Sequence, residues 1–199
     1  AYFTCFLLLV AGVAAAIRMR GWRPLVVSGL VVLATCFVVG VGSIQGIVYR
    51  AQAGPNEEVA ERWVGEAEIY SLRLAQLVLP VSDHRLPLAA RLKAAYRNVL
   101  ATVAPSSDNE NDTSTLGLVL SLGFLGLLAM AVWDPRRPRS QLPSSLALLT
   151  VASFLLATVS GLGLLFAMAI TPQIRAYNRI SVFIAFLAAA FVAWVIDRI

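Results

Sequence analysis

Two carboxylates near the middle of the chain are the first candidates for chemistry. Glu66 and Glu68 lie in a segment in which apolar residues recur at helical spacing. At ~100° per residue, Glu66 falls beside the apolar face, with Arg62 one turn before it and Arg73 two turns after it. A carboxylate at an apolar boundary, flanked by guanidinium groups, can act as a general base or bind a metal ion. A salt bridge on the helix surface is the commoner explanation of this pattern.

The only histidine of the chain follows in the link Ser82-Asp83-His84-Arg85. His84 can act as a general base, or it can bind a phosphate together with Arg85. A single histidine in a loop is more often a turn residue. No cluster of cysteine and histidine accompanies it, so the sequence predicts no metal site.

A third group of polar residues lies between the last two apolar runs and includes Arg175, Tyr177, Asn178 and Arg179. Arginine can bind a phosphate with two parallel hydrogen bonds, so Arg175 and Arg179 are candidate contacts for a lipid phosphate or diphosphate. The alternative is that both side chains extend to the membrane surface without binding a specific ligand.

Five apolar runs must position these residues. They cover residues 2–16, 24–48, 115–133, 145–170 and 180–196 and contain no charged side chain. Runs of ~17–25 apolar residues match the thickness of a bilayer, and in lipid the backbone must be helical. The sequence therefore predicts an all-α polytopic bundle of about five transmembrane helices, with a long outer loop that contains two amphipathic helices.

Composition supports a membrane protein, because 59% of the residues are hydrophobic and only 14% are charged, against ~25% charged in a soluble domain. The net charge of +5 is explained by arginines beside the apolar runs, so nucleic acid is not an expected partner. The absence of charge inside the runs disfavours a proton pump or an ion-coupled transporter.

Arginines also predict the orientation. The short connections at residues 18–23 and 134–139 are rich in arginine and are expected on the cytoplasmic side. The sequence then divides into transmembrane helices 1 and 2 (1–49), an extracytoplasmic loop (50–114) and transmembrane helices 3 to 5 (115–199). Because the chain begins and ends at apolar runs, we expect it to be part of a longer protein, whose missing parts are partners of this one.

Two amphipathic helices are predicted in the long loop. The first begins at a cap at Asn56 and ends at Pro80, and the second follows Pro87 and ends at Pro105, with Lys93 and Arg97 on its polar side. Both helices fit the membrane interface, or they pack against each other or a missing domain. Their apolar faces consist of Val59, Trp63, Ala67, Tyr70, Leu74 and Leu77 in the first helix and of Leu88, Leu92, Tyr96, Val99 and Val103 in the second.

Four segments carry a resemblance to a known group of proteins: EIYSLRLAQLVLP at residues 68–80, DHRLP at 83–87, NEN at 109–111 and RAYNRISVF at 175–183. They resemble segments of bacterial polytopic membrane proteins of the broad GT-C glycosyltransferase and YfhO-like group of putative sugar transferases or translocases. The resemblance covers about half of the chain.

The resemblance implies transfer of a sugar from a polyprenyl-phosphate carrier on the outer face of the bacterial cytoplasmic membrane. Carried over to this chain, Glu66 or Glu68 would be the acid or base, and His84, Arg85, Arg175 and Arg179 would contact phosphate. The sequence does not specify a cofactor, since either arginine or a divalent cation can stabilise the departing phosphate. The alternatives are a lipid-linked sugar flippase or transporter, an enzyme like the O-antigen ligases and polymerases, and a non-catalytic membrane scaffold.

Overall fold

The computed structural model describes residues 1–54, 62–82, 84–103, 114–133, 141–174 and 176–199. These residues form α-helices and contain no β-strand, only an isolated bridge between Leu72 and Thr158. The predicted all-α membrane fold is therefore confirmed. The predicted helix cap at Asn56, the arginine-rich connection at 134–139 and the candidate Arg175 lie outside the described residues.

The chain divides into two compact units, and the first covers Ala1–Glu61. It is a hairpin of α1 (Tyr2–Met19) and α2 (Arg23–Ala53). The hairpin turns at Arg20, which adopts a left-handed conformation with φ 48°. The two helices approach closely at Gly12, where a Cβ atom would collide with the side chain of Ser28. Small residues at such crossings are typical of membrane helices.

The second unit, Arg62–Ile199, is built around a bundle of three helices. These are α6 (Gly117–Val132), α7 (Gln141–Ala157) and α9 (Ser181–Ile196). A core forms where they meet, from Leu127, Leu146, Ala147 and Leu187. Gly123 allows α6 to approach α9 directly, because a Cβ there would lie 2.9 Å from the carbonyl oxygen of Ala188.

Three helices are long and apolar enough to cross a membrane: Tyr2–Met19, Arg23–Ala53 and Tyr177–Ile196, the last including the 3₁₀-helix Tyr177–Ile180 before α9. Gly117–Val132 and Gln141–Ala157 are apolar but shorter. At 1.5 Å per residue, a helix of 16 or 17 residues spans only ~25 Å. The chain is therefore a multi-pass membrane protein in which the helices of the second unit are of unequal length.

The fourth apolar run does not form the continuous helix predicted over residues 145–170. It splits into α7 and a short α8 (Leu162–Ala169), separated by a turn in which Ser160 has φ 55°. The helix ends there because its last residues bind another segment: the N–H of Leu72 donates to the carbonyl of Ala157, and the N–H of Val159 donates to the carbonyl of Leu72. Glycine at position 161 is required, since a Cβ would lie 2.5 Å from the carbonyl oxygen of Leu155.

The first predicted amphipathic helix is also interrupted. Its described part forms α3 (Gly65–Ile69) and α4 (Leu74–Val78), with extended backbone around Leu72 between them. The interruption has the same cause as the break after α7, because the two extended stretches pair with each other. We call residues 65–79 the docked segment.

The second amphipathic helix is confirmed as α5 (Pro87–Val103). One detail of the prediction is wrong. Arg97 is exposed as expected, but Lys93, predicted on the solvated side, is completely buried, while Leu88 and Leu92 are exposed. The side of α5 that faces the protein is therefore not its most apolar side.

Candidate functional site

The docked segment is held at one end of the three-helix bundle by backbone hydrogen bonds. Besides the pairing of Leu72 with the end of α7, the N–H of Asn178 donates to the carbonyl of Tyr70 over 3.1 Å. The N–H of Leu116, just before α6, donates to the carbonyl of Leu77 over 2.9 Å. The segment thus contacts the end of α7 and the starts of α6 and α9 together, and we call this the docking end of the bundle.

Glu68 binds the turn between α7 and α8. Its carboxylate accepts hydrogen bonds from the backbone N–H of Ser160 over 2.8 Å and from the Ser160 hydroxyl over 2.9 Å. Both bonds are charge-assisted and join residues 92 positions apart in the chain. The geometry gives Glu68 a positioning role: it fixes α3 against the turn in which Ser160 adopts a left-handed conformation.

We expect Glu68→Ala to destabilise the second unit by about 1.5 kcal/mol, the lower end of the range for hydrogen bonds to a charged group, because both bonds are exposed. Thermal unfolding in detergent measures this effect. In a double-mutant cycle, Ser160→Ala should add little to Glu68→Ala, because the hydroxyl bond is already lost. Fully additive effects would mean that the two side chains do not act together.

Glu66 occupies the boundary position that its spacing predicts. Its side chain is 18% exposed, and a carboxylate oxygen lies 3.9 Å from the guanidinium of Arg62, one turn earlier. The salt bridge considered as the alternative is therefore present in the structure. Such a pair at a partly exposed position contributes little to stability. Glu66 belongs to the docked segment and therefore lies at the docking end.

His84 has a turn role in this structure. Its Nδ1 atom accepts a hydrogen bond from the N–H of Leu86 over 3.1 Å, just before α5 begins. A neutral imidazole that accepts at Nδ1 carries its proton on Nε2. The neighbouring Arg85 is exposed. The structure places neither residue in a described contact with Glu66 or Glu68.

The third group of candidates lies at the docking end itself. Arg179 is exposed on the 3₁₀-helix Tyr177–Ile180, between the buried residues Asn178 and Ile180. Because the backbone of Asn178 bonds to Tyr70, Arg179 belongs to the same end of the bundle as the docked segment. Arg175, the other candidate phosphate contact of this group, lies outside the described residues.

Buried amides are the feature that sequence reasoning missed. Gln76 in α4 and Asn178 are each only 2% exposed. Within the described part of the chain, no donor lies within hydrogen-bond distance of either side-chain carbonyl oxygen. Buried polar atoms are normally paired, so these two acceptors stand out among the described residues. Asn178 belongs to the polar group that the sequence indicates around Arg175, but no feature of the sequence indicates that Gln76 is buried.

Metal ligands are not grouped in the described ranges of the chain, where no set of three or more His, Cys, Asp or Glu side chains is arranged to hold an ion.

Comparison with known proteins does not add a family to these observations. The chain matches no protein-family model, no curated protein and no solved structure.

Proposed function

We propose that this membrane protein is part of a glycosyltransferase that takes a sugar from a polyprenyl-phosphate carrier at the docking end of the bundle. The observation that carries the proposal is the attachment of the docked segment to the ends of three membrane helices. This attachment brings the Glu66 carboxylate and Arg179 to the same end of the bundle. A lipid-linked sugar presents its reactive bond at the membrane surface.

Each group has a chemical task in this proposal. Glu66 takes the proton of the acceptor hydroxyl as it attacks the sugar. Arg179 stabilises the charge that develops on the departing phosphate. Glu68 keeps α3 in place and does not itself react.

The proposal includes the orientation predicted from the arginine-rich connections. In that orientation the docking end faces away from the cytoplasm, and the protein resides in the bacterial cytoplasmic membrane with residues 50–114 outside. The relevant lipid partner is a polyprenyl phosphate in the outer leaflet.

Glu66→Gln tests the proposal directly. With the protein in nanodiscs, transfer of a radiolabelled sugar from its polyprenyl phosphate should fall by ~10²–10⁴-fold, the usual contribution of a general base. The matched control is Asp197→Asn, which removes a carboxylate after the end of α9, at the far end of that helix. The control should keep full transfer, and both variants should unfold at the temperature of the parent protein.

Unchanged transfer by Glu66→Gln would overturn the catalytic assignment. A non-catalytic scaffold is the second candidate, favoured by the structural hydrogen bonds of Glu68 and His84. It predicts that Glu68→Ala alters assembly with partner proteins while no variant at Glu66 alters any reaction.

A further inference from the structure

Helix α5 carries an apolar stripe that the protein does not cover. Leu88 is 81% exposed, Leu92 is 56% exposed and Val99 is 63% exposed. At ~100° per residue these three residues fall within about 40° of one another around the helix. The side of α5 that is buried, marked by Lys93, lies about 100–140° away from them. The stripe and the packing side are therefore separate surfaces.

The same helix and the residues just before it are strongly basic. Residues 84–103 contain Arg85, Arg91, Lys93 and Arg97 and no acidic residue. Arg85 and Arg91 are exposed, and Arg91 lies beside the apolar stripe. An exposed apolar stripe bordered by arginine is the pattern of a helix that lies in the membrane surface.

The position of α5 along the bundle agrees with this pattern. Burial raises the pKa of the Tyr96 hydroxyl, and the nearby positive charge of Arg73 opposes that rise. Arg73 belongs to the docked segment, directly after Leu72, which is bonded to the end of α7. Tyr96, and with it α5, therefore lies near Arg73 of the docked segment.

We propose that α5 lies in the bilayer surface and binds anionic phospholipids, with Leu88, Leu92 and Val99 among the acyl chains and Arg85 and Arg91 on the headgroup phosphates. A bilayer is the occupant that these features favour, because the chain carries helices long and apolar enough to span a membrane and the exposed charge on α5 is entirely positive. The proposal does not depend on sugar transfer, and Glu66 takes no part in it.

Fluorescence at single cysteines tests the proposal in the whole protein. Cys5 and Cys36, both free thiols, are first replaced by alanine. An environment-sensitive dye is then attached at Leu92→Cys or at the control Ala94→Cys, an exposed position about 160° around the helix. The protein is placed in nanodiscs of phosphatidylcholine alone or of phosphatidylcholine with phosphatidylglycerol. In each kind of nanodisc, quenching is measured once with a lipid-borne quencher and once with an aqueous quencher.

We expect the dye at position 92 to be quenched from the lipid and protected from the aqueous quencher, and the dye at position 94 to show the reverse. Arg85→Gln and Arg91→Gln should each lower the enrichment of phosphatidylglycerol around the protein roughly fivefold, as expected for a basic residue near an anionic surface. Equal aqueous quenching at both positions would overturn the proposal. Protection of position 92 from both quenchers would overturn it in favour of a protein partner, and identical behaviour of the two lipid mixtures would overturn the headgroup assignment.

Discussion

Gly123→Leu is expected to disrupt the three-helix core of the second unit. A Cβ atom alone would lie 2.8 Å from Cγ2 of Val192 and 2.9 Å from the carbonyl oxygen of Ala188. Ala188 is completely buried, and its carbonyl belongs to the backbone of α9, so it cannot move aside without moving the helix. The three carbon atoms of leucine beyond its Cβ would therefore force α6 and α9 apart. Overpacking of this kind costs typically 1–3 kcal/mol, and we expect about 3 kcal/mol or more here.

The control for this prediction is Gly42→Leu in α2. No heavy atom lies within 4 Å of a Cβ built at Gly42, so leucine meets open space there. Leucine is also a better helix former than glycine, which favours the control variant slightly. Thermal unfolding in the same detergent should show a large loss of stability for Gly123→Leu and none for Gly42→Leu. Similar unfolding temperatures for the two variants would show that α6 and α9 do not pack in this way.

Leu72→Ala should have the next largest effect on stability. Leu72 is completely buried, and both its N–H and its carbonyl are hydrogen-bonded to residues at the end of α7. Truncation keeps both backbone bonds but leaves a cavity where the docked segment meets the bundle. Deletion of a buried leucine side chain costs about 2–5 kcal/mol. Because the cavity lies at the docking end, proteolysis of the loop should accelerate before the bundle itself unfolds.

Leu88→Ala provides the comparison, since it removes the same atoms from a side chain that is mostly exposed. We expect a change in unfolding temperature close to zero for Leu88→Ala. If Leu72→Ala were cleaved at the rate of Leu88→Ala, the docked segment would not be held by the contacts described.

Most of the membrane architecture could be predicted from composition. Four of the five apolar runs form continuous helices, because a long uncharged run has only one way to satisfy its backbone in lipid. The run at 145–170 has the same composition but breaks at Ser160. The break depends on hydrogen bonds between Leu72 and residues 157–159, which are some 85 positions away. Helical periodicity carries no information about partners at that distance.

The same pairing explains what was missed in the long loop. Ala67 and Leu77 of the predicted apolar face are indeed buried, but Trp63 and Leu74 are exposed. The extended backbone at Leu72 rotates α4 relative to α3, so that Gln76 is buried in place of Leu74. Local spacing placed Glu66 correctly at an apolar boundary, whereas the bond from Ser160 to Glu68 required the tertiary structure.

Because Lys93 is buried, the reactivity of its amine reports whether α5 is packed against the protein. It is the one lysine in the sequence, and its side chain is fully enclosed. Acylating reagents modify a side-chain amine only when it reaches water. The fraction of protein acylated at Lys93, measured by mass spectrometry, would thus give the fraction of molecules in which α5 has separated from the rest of the protein. The measurement needs no engineered probe.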